Sequence, residues 1–285
     1  MITFRKIGIE GARLGNQLSQ YAALVGVSEK HGYDIAIPYE NKTKFGGLVD
    51  LYTGQWISVN FRLSEAFNLS AIPLTNEINQ SIIYTFEEDI SKSNYNPYFL
   101  DSIKDNTDLH GFFQSEKYWL HCEDRVRKEF EFIPEIKEYS IKKLESIRKK
   151  FPNLISVHIR RGDYLGNPRY NILSPEYYQN AMNILVESLD DEFAFVVFSD
   201  DITWCKTIFG KEENVFYMEK NKDLYDLCMM TLCDHNIIAN STFSWWGAWL
   251  NSNKNKKVIS PFHWFRGELE YLNTIEMHCK NWTVI

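Results

Sequence analysis

Leu154-Ile155-Ser156-Val157-His158-Ile159-Arg160-Arg161-Gly162-Asp163 is an apolar run that ends in two adjacent arginines. A short apolar run rich in β-branched residues and bounded by polar loops is typical of a buried strand. In an open α/β sheet the carboxyl ends of the strands border the ligand crevice. The two arginines therefore mark a candidate phosphate site, because a guanidinium can donate two hydrogen bonds to one phosphate group. The alternative is a surface loop in which they pair with local carboxylates such as Asp163.

The rest of the second half repeats this pattern. Further apolar runs lie at 193–198, 214–218, 236–239 and 257–260. Helical patterns alternate with them near 175–189, 201–208, 222–234 and 245–251. Such alternation predicts a parallel sheet covered by helices.

The first half begins in the same way and then becomes less regular. Ile2–Ile9 predicts a strand, residues 14–30 predict a helix that ends at Gly32, and Asp34–Ile37 predicts a second strand. From Pro38 to about Asp108 the sequence is rich in loops and aromatic residues. We expect partner-facing structure in this segment.

Two further helical patterns cover 116–130 and 134–150. We place the domain boundary after the second of them, near Phe151. This division predicts one α/β domain over 1–150 and another over 151–285.

Polar residues follow two more strands of the predicted sheet. Ser199, Asp200 and Asp201 end the run at 193–198, and either aspartate could bind a ribose hydroxyl or a base edge, or cap the next helix. The hydroxyls of residues 241–244 precede another helix, where they could hold an anion or act as a plain N-cap. The tryptophans of that helix share one face, so we interpret them as core: Trp245, Trp246 and Trp249.

Composition narrows the functional classes. The 285 residues carry a net charge of −7 and a sequence pI of about 5.6, which argues against general nucleic acid binding. We expect the arginines at 160–161 to form a local site for a phosphate group. Aromatic residues make up 15% of the chain, and we expect some of these rings to lie on a surface that receives sugars or bases.

Several common sites are not encoded. The five cysteines are an odd number without a Cys-x-x-Cys pair, so we expect reduced, mostly buried thiols. There is no Asp-x-Asp triplet, His/Cys cluster, Walker sequence or Gly-x-Gly-x-x-Gly fingerprint, and we therefore expect no metal and no dinucleotide cofactor. Without a signal peptide or a bilayer-spanning apolar run, we expect a cytoplasmic protein whose contact with a membrane is peripheral at most.

Five segments in this order resemble glycosyltransferase family 11, the α-1,2-fucosyltransferases that use GDP-L-fucose. They are Gly11-Ala12-Arg13-Leu14-Gly15-Asn16-Gln17, Gly111-Phe112-Phe113-Gln114-Ser115-Glu116-Lys117-Tyr118, His158-Ile159-Arg160-Arg161-Gly162-Asp163, Phe198-Ser199-Asp200-Asp201 and Asn240-Ser241-Thr242-Phe243-Ser244-Trp245-Trp246-Gly247-Ala248-Trp249. The first segment departs from bacterial members, with Leu18 and Ser19 where Met and Phe are usual.

The resemblance implies a GT-B-like α/β fold in which two Rossmann-like halves face a central cleft. The C-terminal half would hold GDP-fucose, with Arg160 at the β-phosphate, His158 near the diphosphate or nucleoside, and Asp226 reading guanine. The other donor-side residues implied are Arg161, Ser199, Asp200, Asp201, Asn240, Ser241, Thr242 and Phe243. Asn16 would face the transferred sugar, and the acceptor side would include Arg13, Gln17 and Gln114. Arg160 and Arg161 would form a small cationic centre for one diphosphate, and we expect the aromatic residues within 39–119 to supply an acceptor surface.

The implied reaction is inverting, metal-independent transfer of L-fucose to the 2-hydroxyl of a terminal β-galactoside on an oligosaccharide or surface-polysaccharide precursor. Departure of GDP develops negative charge, which a fixed arginine can stabilise. Glu10, Asp163 and Asp200 are candidates for a base, and the departing phosphate oxygen is another. The alternatives are a related transferase with another linkage or GDP-sugar, and a catalytically silent nucleotide-sugar or glycan-binding protein.

Overall fold

Two compact units make up the protein. The computed structural model describes residues 1–8, 13–38, 46–49, 56–59, 61–89, 91, 95–189 and 192–285. Unit 1 comprises Met1–Ile133 and Ile275–Met277, and unit 2 comprises Pro134–Thr274 and His278–Ile285.

Unit 1 contains a parallel sheet, a separate hairpin and helices. Its described strands are β1 (Ile2–Thr3), β2 (Ile35–Ile37), β3 (Gly46–Val49), β4 (Trp56–Val59), β5 (Ile72–Pro73), β6 (Tyr84–Glu87) and β7 (Thr107–His110). Its described helices are α1 (Leu14–His31), α2 (Asn76–Ser81), α3 (Phe99–Ser102) and α4 (Glu123–Glu129). The sheet order is β5-β2-β1-β7-β6, with all neighbours parallel, while β3 and β4 pair antiparallel.

The start of unit 1 confirms the predicted βαβ order but shortens its first strand. The strand expected over Ile2–Ile9 stops at Thr3, because the chain turns where Ile7 N–H donates to the carbonyl of Phe4 at 3.1 Å. Helix α1 ends as predicted at Gly32, which adopts the left-handed conformation with φ 72°.

The helix predicted over 116–130 is wrong in its first half. Two short 3-10 turns occupy this stretch before α4 begins at Glu123. The backbone here approaches α1 very closely: a Cβ on Gly26 would meet the carbonyl of Tyr118, and His121 Nε2 lies 3.1 Å from the carbonyl of Gly26. This tertiary contact fixes a backbone path that a continuous helix would not follow.

Unit 2 confirms the predicted alternation of strands and helices. Its described helices are α5 (Pro134–Arg148), α6 (Pro175–Val186), α7 (Ile202–Phe209), α8 (Asp223–Leu232) and α9 (Thr242–Leu250). Its described strands are β8 (Asn153–Ile159), β9 (Phe193–Ser199), β10 (Val215–Tyr217), β11 (His235–Ile237), β12 (Val258–Ser260) and β13 (Thr283–Val284). They form one parallel sheet in the order β10-β9-β8-β11-β12-β13.

Alternation along β8 divides its side chains between two cores. Ile155, Val157 and Ile159 pack with residues of α6 and α7. Leu154 belongs to the core on the opposite face, with residues of α5 and α8. Because successive side chains of a strand point to opposite faces, His158 lies on the same face as Leu154.

Helix α5 packs within unit 2. Its Leu144 and Ile147 share a core with Met229 and Met230 of α8, and its Tyr139 ring lies 4.6 Å from the ring of Tyr225. The predicted boundary near residue 150 therefore lies one helix later than the division between the compact units, which precedes α5.

Candidate active site

Three neighbouring strands of unit 2 end in polar residues at one edge of the sheet. β8 lies between β9 and β11, and Ile159 is paired with Ser199 at the end of their ladder. Arg160 follows β8, Asp200 follows β9, and Asn240 follows β11 after two further apolar residues. Parallel pairing thus brings together segments that are far apart in sequence.

Arg160 is held by two carboxylates. Its Nη1 lies 2.9 Å from Asp200 Oδ2, and its Nη2 donates to Asp163 Oδ1. The guanidinium carbon lies 5.6 Å from the ring centre of Tyr164. The arginine side chain is 18% exposed, so its fork is oriented by fixed partners yet remains accessible at the edge of the sheet.

Arg161 takes a different direction. Its Nε donates to Asp201 Oδ2 at 3.1 Å, and its guanidinium lies 4.0 Å from the ring centre of Trp204. Asp201 also caps α7, because its Oδ1 accepts the N–H of Trp204 at 3.1 Å. For this arginine, pairing with a local carboxylate is what the structure provides.

These contacts correct the expectation of a cationic centre. The two guanidinium groups are paired with three carboxylates: Asp163, Asp200 and Asp201. A diphosphate binding to Arg160 would therefore compete with carboxylates that already hold it.

His158 is buried on the face of β8 that carries α9. Its ring lies 5.5 Å from the ring of Phe243, in the first turn of that helix. Burial, and secondarily the charge of Arg160, lower the pKa of His158 to about 3. The imidazole is therefore neutral at pH 7, and its buried Nδ1 has no hydrogen-bond partner among the described residues.

The first turn of α9 uses part of its hydroxyl cluster internally. Ser241 occupies the N-cap position with its side chain buried. Ser244 Oγ accepts the N–H of Ala239 at 3.2 Å and donates to the carbonyl of Ser241 at 3.3 Å. Thr242, the remaining hydroxyl, is partly exposed. The donor-side residues predicted here thus lie together. The hydroxyl of Ser244, by contrast, is used in hydrogen bonds to the backbone of the turn itself.

Asn240 joins three loops. Its Nδ2 donates to the carbonyls of Asn171 and Trp264 at 2.8 and 2.7 Å. Its own carbonyl accepts the hydroxyl of Tyr164 at 3.0 Å. The residue is 2% exposed, so it fixes the loop after β11 from inside the unit.

A pocket of about 310 Å³ opens beside Arg160's partner Asp200. That volume is within the range of small-molecule sites, about 300–1,000 Å³. Its lining residues include Ser199, Asp200, Met218, Asn221 and Asp226. The structure therefore brings three of the predicted donor-side residues to one cavity.

Asp226 is an unusual carboxylate in this pocket. It lies in the first turn of α8, and its Oδ1 accepts an N–H of Asn221 at 3.0 Å. Burial raises the pKa of Asp226 to about 7, with Asp223 adding to the rise and the bond from Asn221 opposing it. Asp226 has no ion-pair partner among the described residues, so its carboxylate can accept N–H groups of a ligand.

Asn221 was not among the predicted site residues. It lies in the loop after β10 (Val215–Tyr217), just before α8. Arg160 and Asp200 come directly after their strands, but Met218, Glu219 and Lys220 separate Asn221 from β10, so the strand-end rule does not single it out.

In unit 1 the predicted acceptor-side residues divide into two groups. Gln114 Nε2 donates to Asn16 Oδ1 at 3.0 Å, and both side chains are partly exposed. Gln17 is buried, and its Oε1 accepts the N–H of Arg62 at 2.9 Å. Arg13 is exposed at the N-cap position of α1. Glu10, one candidate base, lies outside the described residues, as do Gly11 and Ala12.

Many of the described aromatic residues between 61 and 119 are part of the core. The expectation of an acceptor surface is wrong for a large described set, all buried: Phe61, Phe67, Phe99, Phe113, Tyr118 and Trp119. Large exposed aromatic side chains in the same segment are Tyr84, Tyr98 and Phe112. In unit 2 the core interpretation of Trp245, Trp246 and Trp249 is confirmed.

Other groups complete the description. All five cysteines lie among the described residues and are buried and free, as expected. Across the described part of the chain, no three His, Cys, Asp or Glu side chains converge as a metal site would require. None of the described helices combines the length and apolar character that crossing a bilayer requires.

Comparison with known proteins identifies the family. The family model described as glycosyl transferase family 11 matches residues 67–285. The chain belongs to glycosyltransferase family 11. An α-1,2-colitosyltransferase of Escherichia coli is 31% identical over 95% of this chain and 96% of its own length. Galactoside α-(1,2)-fucosyltransferase 1 of Rattus norvegicus is 25% identical over 84% of this chain, which spans 62% of that longer relative.

Solved structures agree on the fold of this family 11 member. The α-1,6-fucosyltransferase NodZ, soaked with GDP-fucose, superposes with a TM-score of 0.53 at 15% identity, covering 87% of this chain and 91% of NodZ. At that identity the likeness concerns the fold alone. The α/β architecture of the GT-B type is therefore confirmed, with a parallel sheet in each unit.

Proposed function

We propose that this family 11 glycosyltransferase transfers L-fucose from GDP-β-L-fucose to the 2-hydroxyl of a terminal β-galactoside, with inversion and without a metal ion. The acceptor would be an oligosaccharide or a surface-polysaccharide precursor. The observation that carries the proposal is the arrangement at the carboxyl end of β8. There Arg160 is oriented by Asp200, which also lines the pocket containing Asp226.

Donor binding follows from these positions. Arg160 would donate to the β-phosphate, displacing Asp163 or Asp200 in part, since the guanidinium has five N–H groups to share. The guanine base would enter the pocket and offer its N–H groups to Asp226. Neutral His158 would contribute a hydrogen bond without adding charge, and Ser241 and Thr242 would border the phosphates at the start of α9.

The transfer itself is a single displacement. An acceptor oxygen forms a bond to the anomeric carbon as the bond from that carbon to the phosphate oxygen breaks, and GDP leaves with the electron pair. Negative charge grows on the β-phosphate, so a guanidinium fixed there stabilises the transition state more than the ground state.

A base must take up the proton of the attacking acceptor hydroxyl. Asp163 and Asp200 each direct a carboxylate oxygen at the guanidinium of Arg160, so these oxygens face the arginine and not an incoming hydroxyl. This favours the departing phosphate oxygen as the proton acceptor, with Asp163 acting mainly to orient the arginine.

We assign the acceptor side to unit 1. Asn16, in the first turn of α1, and Gln114 form a hydrogen-bonded pair, and both side chains are partly exposed. Phe112 is 41% exposed and adjoins this loop, which provides the flat apolar face that sugar rings commonly contact. Relatives named as α-1,2-transferases support the linkage.

A second donor is favoured by one specific observation. The Escherichia coli relative named as a colitosyltransferase matches nearly the whole chain at 31% identity. Colitose differs from L-fucose by the absence of the 3-hydroxyl. GDP-colitose is therefore the alternative donor for the same site and the same mechanism.

The test is a matrix of donors and acceptors. GDP-fucose, GDP-colitose and GDP-mannose are each incubated with lactose, N-acetyllactosamine and galactosyl-N-acetylgalactosamine, and the product linkages are determined. We expect α-1,2-linked fucosyl products that disappear in Arg160→Ala. Preference for GDP-colitose would select the second donor. GDP-sugar binding without transfer or hydrolysis would show a silent binding protein and contradict the proposal.

A further inference from the structure

The loop at residues 111–114, which carries Gln114, has an energetically unfavourable backbone conformation. Phe113 has φ 50°, in the left-handed region, and Gly111 has φ 148°. For a residue with a side chain, the left-handed region costs about 1–2 kcal/mol. Something outside the loop must therefore hold it.

Glu88 is that group. It follows edge strand β6, and its Oε2 accepts the N–H groups of both Phe112 and Phe113, at 2.7 and 2.9 Å. Its Oε1 accepts the hydroxyl of Tyr118 at 3.1 Å. One carboxylate thus satisfies two consecutive backbone donors of the loop and anchors itself to a buried ring.

The surroundings leave little freedom for another arrangement. A Cβ on Gly111 would lie 2.5 Å from Glu88 Cβ. The carbonyl of Gly111 is held by Gln20 Nε2 of α1 at 3.0 Å. The ring of Phe113 is buried against Phe99 and Tyr118, with ring centres 5.1 and 5.3 Å away. The next residue is Gln114, whose amide meets Asn16.

We infer that Glu88 is a positioning residue for the acceptor side: by holding the N–H groups of Phe112 and Phe113 it fixes Gln114 against Asn16. This inference rests on the proposed function, which assigns Asn16 and Gln114 to the acceptor side. Burial raises the pKa of Glu88 above its usual range, and its three hydrogen bonds oppose that rise. Burying the charge of this carboxylate costs folding free energy, which is consistent with a role in shaping the site.

Three variants and their double form test the role. Glu88→Ala removes the acceptors, and we expect kcat/KM for the acceptor to fall about tenfold or more, because misplacement of a positioning group is costly. The KM for the donor should stay within about twofold, since unit 2 is untouched. Glu88→Gln should recover most activity, because its amide oxygen can accept both N–H groups while its NH₂ donates to Tyr118.

Gln114→Ala and the Glu88→Ala/Gln114→Ala double variant separate positioning from general stability. If Glu88 acts through Gln114, the double variant should be no worse than Gln114→Ala alone. Independent, multiplicative losses would overturn the inference, as would failure of Glu88→Gln to restore activity above Glu88→Ala.

Glu129 offers a matched control. It is also a carboxylate in unit 1 that accepts a tyrosine hydroxyl and a backbone N–H, those of Tyr21 and Ser70, at 3.0 and 2.8 Å. Glu129→Ala should lower the melting temperature, and its effect on activity should multiply with that of Gln114→Ala.

Amide hydrogen exchange of Phe112 and Phe113 provides a second readout without any substrate. We expect exchange about tenfold faster or more in Glu88→Ala, because both N–H groups lose their acceptor. If the exchange rates of Phe112 and Phe113 do not change in Glu88→Ala, the inference is overturned, whatever the transfer assay shows. Absence of transfer by the wild type, with exchange responding as expected, contradicts the proposed function instead.

Discussion

Asp226→Asn separates what the carboxylate does to the fold from what it does for the donor. Burial raises the pKa of Asp226 from 3.8 to about 7. The folded state therefore binds this proton more tightly than the unfolded state, and stability falls as pH rises from about 4 to about 7. At pH 8 the buried charge costs up to about 4 kcal/mol, the equivalent of that change in pKa.

Asparagine keeps the shape and removes the charge. We expect Asp226→Asn to match the wild type in free energy of unfolding near pH 4 and to exceed it at pH 8, by up to about 4 kcal/mol. Urea unfolding at both pH values measures the difference. Asn221→Ala is the control, because it removes the hydrogen-bond donor to Asp226 and leaves the charge in place.

Donor binding should respond in the opposite direction. If only the ionised carboxylate accepts the N–H groups of the base, kcat/KM for the GDP-sugar follows the ionised fraction of a group with pKa about 7. Relative to its plateau above pH 8, it should fall about tenfold at pH 6 and about a hundredfold at pH 5.

Asp226→Asn should lower that plateau by about a hundredfold or more, since hydrogen bonds to charged groups contribute about 1.5–3 kcal/mol each, and it should abolish this pH dependence. A wild-type profile that is flat from pH 5.5 to 7.5, or an Asp226→Asn profile with the same inflection, would refute the reasoning.

Three further predictions concern the arginine, the metal and the core. Arg160→Ala should lower kcat about a thousandfold, which is equivalent to about 4 kcal/mol of transition-state stabilisation. Its melting temperature should change little, because the carboxylate partners of Arg160 are partly exposed. Arg160→Lys should lose almost as much activity, and near-normal turnover of either folded variant would contradict the assignment. Activity should persist in excess EDTA, and a loss that manganese restores would argue for a metal-assisted step. Trp246→Ala should destabilise unit 2 by about 3–5 kcal/mol in urea unfolding, since this ring is fully buried against Trp245 and Trp249; a cost below about 1 kcal/mol would show that the core does not depend on it.

Local patterns were sufficient for most elements of unit 2 and for the position of the residues that we propose bind the donor. Continuous apolar runs identified β8 and β9, and the strand-end rule placed Arg160 and Asp200 at one edge. Periodicity predicted the secondary structure less accurately where the backbone path of one element depends on contact with another element. The break before α4 follows from the close approach at Gly26, which lies nearly a hundred residues earlier in the chain.

The sequence by itself determined the parallel sheet of unit 2, the βαβ start of unit 1, the family motifs and the residue types available for a phosphate. The tertiary structure alone decided which group each side chain meets. Arg160 and Arg161 are equivalent in sequence, yet one pairs with Asp163 and Asp200 while the other stacks on Trp204. Likewise Asn16 and Gln17 are adjacent, but one contacts Gln114 and the other is buried. Periodicity arises from neighbours along the chain, whereas a side chain's partners come from strands and loops that only folding brings within hydrogen-bond distance.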